Sequence, residues 1–70
     1  MDNENILTSV AAEIKKRRLR KKLTVEAAAE LAGANVQTWY NWERGRFDLP
    51  ISRLPAIAAA LGCKVKQLFP

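Results

Sequence analysis

The sequence predicts a small all-α domain, a compact bundle of five helices, from two patterns. The first is the stretch from residue 24 to residue 45, TVEAAAELAGANVQTWYNWERG, which is typical of two short helices joined by a tight turn. The second is an apolar stripe at helical spacings of three and four, which indicates an earlier helix with one buried side: Leu7, Val10, Ala11 and Ile14. Seventy residues are enough for one such domain.

Each of the two short helices has a start signal and a stop signal. Thr24 and Asn35 can cap a helix, because their side-chain oxygens accept a hydrogen bond from a free N–H group of the first turn. Gly33 and Gly45 end the helices, since glycine adopts the left-handed conformation at little cost. A turn this short makes the two helices cross steeply. The predicted helices are residues 25 to 32 and 36 to about 44.

The second of these helices has two different faces. At 100° per residue, Trp39 and Trp42 point to one side and form a large apolar face, which we expect to lie in the core. The preceding helix offers small side chains, so the two backbones can approach closely: Ala28, Ala29 and Ala32. The opposite side of the second helix carries mostly hydrogen-bonding groups, with a valine at its edge: Val36, Gln37, Tyr40, Asn41 and Arg44.

With these residues in register, the chain resembles the helix-turn-helix family of phage repressors and Cro proteins, known as the XRE type. The resemblance covers residues 10 to 68 and has no gap between Thr24 and Gly45; the matching residues are Thr24, Glu26, Ala29, Gly33, Asn41, Trp42, Glu43, Arg44 and Gly45. It implies a sequence-specific double-stranded DNA-binding regulator, a repressor of bacterial or prophage origin. It also implies a homodimer on a palindromic operator, with helix 36–44 in the major groove.

Within this motif, the exposed side of helix 36–44 supplies the candidate base-reading residues. The amides of Gln37 and Asn41 can each pair bidentately with adenine in the major groove, although both residue types are also ordinary on any exposed helix face. Val36 can contact a thymine methyl group. Tyr40 stands where the family often has a small serine, and it can either donate to a phosphate or crowd the groove.

Basic residues supply the candidate phosphate contacts. The net charge is +5 and the pI is near 9.9, which favours an anionic partner without choosing between nucleic acid, acidic protein and membrane surface. Seven of the eight residues from 15 to 22, KKRRLRKK, are basic. This run is either a solvated helix end, a phosphate-facing patch, or a localisation or lipid-binding signal. The candidate phosphate-binding residues are Thr24, Lys15, Lys16, Arg44, Arg46 and Arg53.

Two arginines interrupt the apolar stripe of the first helix, predicted from Ile6 to Lys22. An arginine that enters a core needs a partner, because an isolated buried charge is very costly. The resemblance implies that Arg18 pairs with Glu43, which borders the apolar face of its own helix. Arg17 departs from the family, which usually has leucine there, and we expect its charge to extend outward along its stem.

The remaining segments complete the prediction of a single domain over residues 6 to 70. Residues 1 to 5 are polar and predicted to be disordered. After a loop at 46 to 51, a fourth helix is predicted from about residue 53 to residue 61, where Gly62 ends it. A short fifth helix is predicted over residues 64 to 69.

Several classes of function are not expected from this composition. The chain has no histidine and one cysteine, Cys63, so we expect no disulfide, no metal, no cofactor and no enzymatic nucleophile with its base. The longest apolar run, residues 54 to 61, is shorter than the about 20 residues that cross a bilayer. No signal peptide is recognised, and we expect a cytoplasmic, nucleoid-associated protein. The alternative functions are a protein-interaction module or a DNA-binding antitoxin with the same fold.

Overall fold

A computed structural model gives the structure of residues 3 to 45 and 50 to 70, with side chains described from residue 6 onward. Over these residues the chain forms four α-helices, two 3₁₀ turns and no strand. The helices are α1 (Asn3–Arg20), α2 (Val25–Ala32), α3 (Val36–Arg44) and α4 (Leu54–Leu61). The 3₁₀ turns are Ile51–Arg53, directly before α4, and Val65–Leu68, after it. The all-α prediction is confirmed.

The prediction of five helices is wrong, because the last predicted helix is the 3₁₀ turn Val65–Leu68. In its backbone, the Gln67 N–H donates to the Lys64 carbonyl at 2.9 Å. The Gln67 side-chain oxygen accepts from the Lys64 N–H at 2.8 Å. The backbone bond joins residues three apart, which is the 3₁₀ pattern, and the side-chain bond caps the turn. A segment this short leaves little room for an α-helical ladder. Arg53, the predicted first residue of the fourth helix, likewise belongs to a 3₁₀ turn, and α4 begins one residue later.

The limits of α1 also differ from the prediction. The helix begins at Asn3, three residues before the predicted start, so residues 3 to 5 belong to its first turn. Met1 and Asp2, the rest of the segment predicted to be disordered, lie outside the described residues. At the other end, α1 stops at Arg20, because Lys22 adopts a left-handed conformation with φ of 60°. The turn is closed by Leu23 N–H donating to the Arg18 carbonyl at 3.1 Å.

The limits of α2 and α3 are those that the cap residues predict. The Thr24 hydroxyl accepts from the Ala27 N–H at 3.0 Å, and the Asn35 side chain accepts from the Thr38 N–H at 2.7 Å. Gly33 ends α2 with a positive φ of 72°. The segment from 24 to 45 is therefore two capped helices with a three-residue connection, residues 33 to 35.

The core lies where α1, α2, α3 and α4 meet. Its largest fully buried side chains come from three helices and the terminal 3₁₀ turn: Ile14, Trp39, Ile57 and Leu68. Trp39 and Trp42 pack edge to face with ring centroids 5.8 Å apart, and both are buried, which confirms their predicted place in the core. The buried alanines of α2 let α3 and α4 pack closely against it.

Leu68 anchors the terminal 3₁₀ turn, and its neighbour Phe69 is a matched control. Leu68 is 1% exposed, so Leu68→Ala should lower the free energy of unfolding by about 2–5 kcal/mol. Phe69 is 43% exposed, and Phe69→Ala should change it by about 0.5 kcal/mol or less. Denaturant melts of both variants make the comparison. Equal effects would show that the terminal turn is not part of the core.

Candidate nucleic-acid interface

The side of α3 opposite the tryptophans is an accessible polar surface. We call it the outward face; it consists of Val36, Gln37, Tyr40, Asn41 and Arg44. Gln37, Tyr40 and Arg44 are exposed, while Asn41 is half-buried. Val36 is also half-buried and packs partly against the core, so it lies at the edge of this face, as the helical spacing predicts. Four of the five side chains carry hydrogen-bonding groups that can contact a partner.

Two of these side chains, Gln37 and Asn41, are in contact with each other. The Gln37 Nε2 group donates to Asn41 Oδ1 at 3.4 Å, a long bond between residues one helical turn apart. Such amide pairs stabilise a helix by only about 0.2–0.5 kcal/mol, so the bond does not compete strongly with an external partner. It leaves the Gln37 carbonyl oxygen and the Asn41 amide N–H groups available. The pair therefore presents both an acceptor and donors at one place.

Tyr40 and Arg44 form a second pair on the outward face. The Arg44 guanidinium lies 5.3 Å from the centroid of the Tyr40 ring, a cation–π contact between residues one turn apart. The contact holds the arginine beside the tyrosine near the C-terminal end of α3. The aromatic ring therefore has a partner within the protein, while both side chains stay exposed.

The candidate phosphate-binding residues come from different parts of the fold. Lys15 and Lys16 are exposed on α1, Thr24 is exposed at the start of α2, and Arg53 is exposed just before α4. The Thr24 hydroxyl oxygen caps α2, and its O–H remains a donor. Arg46 lies outside the described residues. Arg44 is exposed at the end of α3, so the described candidates are solvent-accessible cations and one hydroxyl on four separate elements.

Arg18 and Glu43 form a buried ion pair that joins α1 to α3. Arg18 donates through Nε to Glu43 Oε2 and through Nη2 to Oε1, the latter at 3.2 Å. The third guanidinium nitrogen, Nη1, donates to the Leu23 carbonyl at 2.8 Å. The side chains are 10% and 4% exposed. The guanidinium thus links the end of α1, the connection to α2 and the end of α3.

A third side chain completes this network. The indole Nε1 of Trp39 donates to Glu43 Oε2 at 2.6 Å, one turn earlier on the same helix. Among the described residues, no buried side-chain nitrogen or oxygen lacks a hydrogen-bond partner. A buried ion pair is tolerated when its remaining hydrogen-bonding groups are satisfied in this way. The sequence predicts that Trp39 lies in the core but not that it makes this hydrogen bond. The available signal was the burial itself, because a buried indole N–H usually has a hydrogen-bond partner.

Arg17 is also paired, which the sequence reasoning missed. Its Nε donates to Glu13 Oε2 at 2.7 Å, one helical turn away, with side chains 22% and 26% exposed. The expectation that Arg17 simply extends into solvent is therefore incomplete. A glutamate four residues before an arginine on one helix is a recognised signal for such a pair.

The described residues show neither a membrane-spanning helix nor a metal-binding cluster. None of the described helices is long and apolar enough to span a membrane. Within the described residues, no group of three or more acidic, histidine or cysteine side chains is placed to hold a metal ion. Cys63 is a half-buried free thiol packed at the edge of the core.

Comparison with known protein families identifies the fold of this chain. Residues 9 to 68 match the family model described as a helix-turn-helix domain. The chain belongs to this helix-turn-helix family. A search of curated proteins finds no significant match.

Solved structures with the same fold include proteins of similar length. The restriction-modification controller protein C.AhdI from Aeromonas hydrophila is 25% identical, with a TM-score of 0.86 over 90% of this chain and 96% of that one. The hypothetical transcription factor NHTF from Neisseria is 28% identical, with a TM-score of 0.84 over 100% of this chain and 82% of that one. The helix-turn-helix fold thus extends over almost the entire length of C.AhdI and of this chain.

An enzyme also contains a region of this fold. Hydroxypropylphosphonic acid epoxidase from S. wedmorenis is 32% identical, with a TM-score of 0.86 over 97% of this chain but 36% of the enzyme's own chain. This chain therefore spans about a third of the epoxidase. The similarity concerns one part of that enzyme and carries no activity to this helix-turn-helix domain.

The two arginine–glutamate pairs allow a matched test of burial. Arg18→Met or Glu43→Leu alone should lower the free energy of unfolding by about 3–5 kcal/mol, because each leaves a buried charge without its partner. The double variant should cost much less than the sum. The same cycle at Arg17 and Glu13, a more exposed pair, should give a coupling of about 0.5 kcal/mol or less.

Denaturant unfolding of all six variants measures both couplings. Equal small couplings at the two pairs would contradict a buried, structurally important Arg18–Glu43 pair.

Proposed function

We propose that this chain is a sequence-specific double-stranded DNA-binding transcriptional regulator, with α3 as the helix that enters the major groove. The observation that carries the proposal is the division of α3 into two faces. Trp39 and Trp42 fix one face in the core, and the outward face leaves its amide groups accessible. A helix held this firmly can present the same side chains in the same positions to every base pair that it meets.

The chemistry of the outward face suits the edges of bases. The major groove is about 12 Å wide and admits an α-helix, and adenine offers there one acceptor and one donor. Gln37 and Asn41 each supply the complementary donor and acceptor, and the bond between them is weak enough to be exchanged for a base. We assign base reading to these two amides, with Val36 and Tyr40 beside them on the same face.

Electrostatic attraction to the DNA backbone supports the same proposal. The chain has a net charge of +5, and each neutralised phosphate releases condensed counterions. The proposed phosphate contacts are Thr24, Lys15, Lys16, Arg44, Arg46 and Arg53. Because the described members of this set are exposed, they can approach phosphate without any change in the core.

The names of two structural relatives support a regulatory role. C.AhdI is a restriction-modification controller protein, and NHTF is a hypothetical transcription factor. We further propose a Cro-like repressor of bacterial or prophage origin that acts in the cytoplasm, at the nucleoid. As a homodimer it would bind a palindromic operator whose half-sites lie about 34–36 Å apart, one turn of the double helix.

The alternatives use the same fold with a different partner. A protein-interaction module would use the outward face against another protein, and a DNA-binding antitoxin would combine operator binding with a toxin partner. The exposed amides and the basic charge favour DNA over a protein surface. No enzymatic activity is proposed.

Selection of binding sites from a pool of random duplexes tests the proposal. We expect enrichment of one symmetric motif whose half-sites are one helical turn apart. A DNA-binding repressor and an antitoxin both give this result, whereas a protein-interaction module gives none. Failure to enrich any motif at about 50 mM salt, where phosphate contacts are strongest, would contradict the DNA-binding function.

Variants of the outward face then test the assignment of base reading. Gln37→Ala and Asn41→Ala should each weaken binding to the selected site by about 1–3 kcal/mol and relax preference at one position of each half-site. Arg53→Gln is the control, because loss of a phosphate contact weakens binding to all sequences alike and makes the salt dependence less steep. Retention of the parent's preference by both alanine variants would show that another face reads the DNA.

A further inference from the structure

The turn after α1 contains a lysine in a conformation that favours glycine. Lys22 has φ of 60°, and it is the only non-glycine residue with positive φ in the described part of the chain. The other three described residues with positive φ are glycines, each directly after a helix: Gly33, Gly45 and Gly62. A side chain makes the left-handed conformation unfavourable, because Cβ approaches the following carbonyl oxygen.

The fold itself does not require a lysine at this position. The turn is closed by backbone bonds, Lys22 N–H to the Leu19 carbonyl at 2.9 Å and Leu23 N–H to the Arg18 carbonyl at 3.1 Å. Glycine would make both bonds without the steric cost. Lys22 is exposed, and the salt bridges among the described residues do not include it. A strained residue without a structural role is a reason to look for a functional one.

The neighbouring lysine has a different environment. The Lys21 ammonium lies over the end of α4, so close to Gly62 that a Cβ added there would be 2.6 Å from Nζ. A cation at this place is favourable, because the last carbonyl groups of a helix carry partial negative charge. Lys21 therefore lies against Gly62 at the end of α4, whereas Lys22 is exposed and takes part in no salt bridge of the described residues. The two adjacent lysines have the same charge but different surroundings. Lys21 is therefore a matched control for the loss of one lysine charge.

Lys22 is close to the proposed DNA-binding surface. It is two residues before Thr24, and two residues of chain span at most about 7 Å. A DNA backbone that contacts the exposed Thr24 hydroxyl would therefore lie within reach of a lysine side chain at position 22. Arg20, two residues before Lys22, is also exposed, so the local charge is positive.

We propose that Lys22 is a further phosphate-binding residue, whose ammonium contacts the backbone of duplex DNA beside Thr24. This inference rests on the proposed DNA-binding function and extends its set of phosphate contacts. The positive charge, rather than the fold, accounts for a lysine where glycine would be less strained. Stability and DNA affinity are therefore expected to change in opposite directions when this residue is replaced.

Lys22→Gly tests the inference, with the full chain and the duplex selected as its binding site. The melting temperature should rise by about 4 °C, because the steric cost of the left-handed conformation is removed. The slope of log affinity against log salt should become less steep by about 0.9 per protomer, and affinity should fall for all sequences alike. Lys22→Arg should keep the parent's salt slope, because it keeps the charge.

Lys21→Gln is the control for Lys22→Gly. Lys21→Gln should lower or leave unchanged the melting temperature and should leave the salt slope as in the parent. If the parent binds the duplex and Lys22→Gly binds it with the same affinity and slope, the inference is wrong. A lower melting temperature of Lys22→Gly would also overturn it. If the parent binds no duplex, the proposed function itself fails, and this inference fails with it.

Discussion

The position of α3 depends on the buried ion pair between Arg18 and Glu43. The guanidinium binds both carboxylate oxygens and the Leu23 carbonyl, so it joins α1, the connection to α2 and α3. The carboxylate also accepts from Trp39 one turn earlier, which fixes two successive turns of α3. Because each charge is costly to bury without its partner, this network opposes rotation of α3 and its displacement along α1. The direction of the outward face follows from that constraint.

The same arrangement separates the requirements of folding from those of recognition. Buried side chains and cap residues determine the helices and their packing, to which the outward face contributes mainly through Val36 at its edge. C.AhdI, a protein of 25% identity, has the same fold with a TM-score of 0.86. Gln37 and Asn41 are not among the buried residues of the core, so replacing them should leave the core intact. In the proposed function, this freedom allows one scaffold to recognise different operators.

The sequence predicts those features of the fold and of the candidate site that depend on residues close together in the chain. The limits of α2 and α3 follow from cap side chains and glycines a few residues apart, and the burial of Trp39 follows from helical spacing. The pairing of Arg18 with Glu43 joins residues 25 positions apart. The apolar stripe indicates that Arg18 needs a partner, and the family resemblance identifies that partner as Glu43. The end of α1 differs from the prediction, because Lys22 adopts a conformation against its intrinsic preference. The terminal segment is a 3₁₀ turn where the sequence predicts an α-helix, because the two share short-range spacing.

A titration of isotope-labelled protein with DNA, followed by nuclear magnetic resonance, tests the central claim most directly. The claim is that α3 binds DNA through its outward face while its buried face stays fixed. With the selected duplex, the side-chain amides of Gln37 and Asn41 should show large shifts that a scrambled duplex does not produce. The Trp39 indole resonance should remain in slow exchange with solvent, because its hydrogen bond to Glu43 persists. Shifts confined to α4 and the terminal 3₁₀ turn, with the outward face unaffected, would contradict the account.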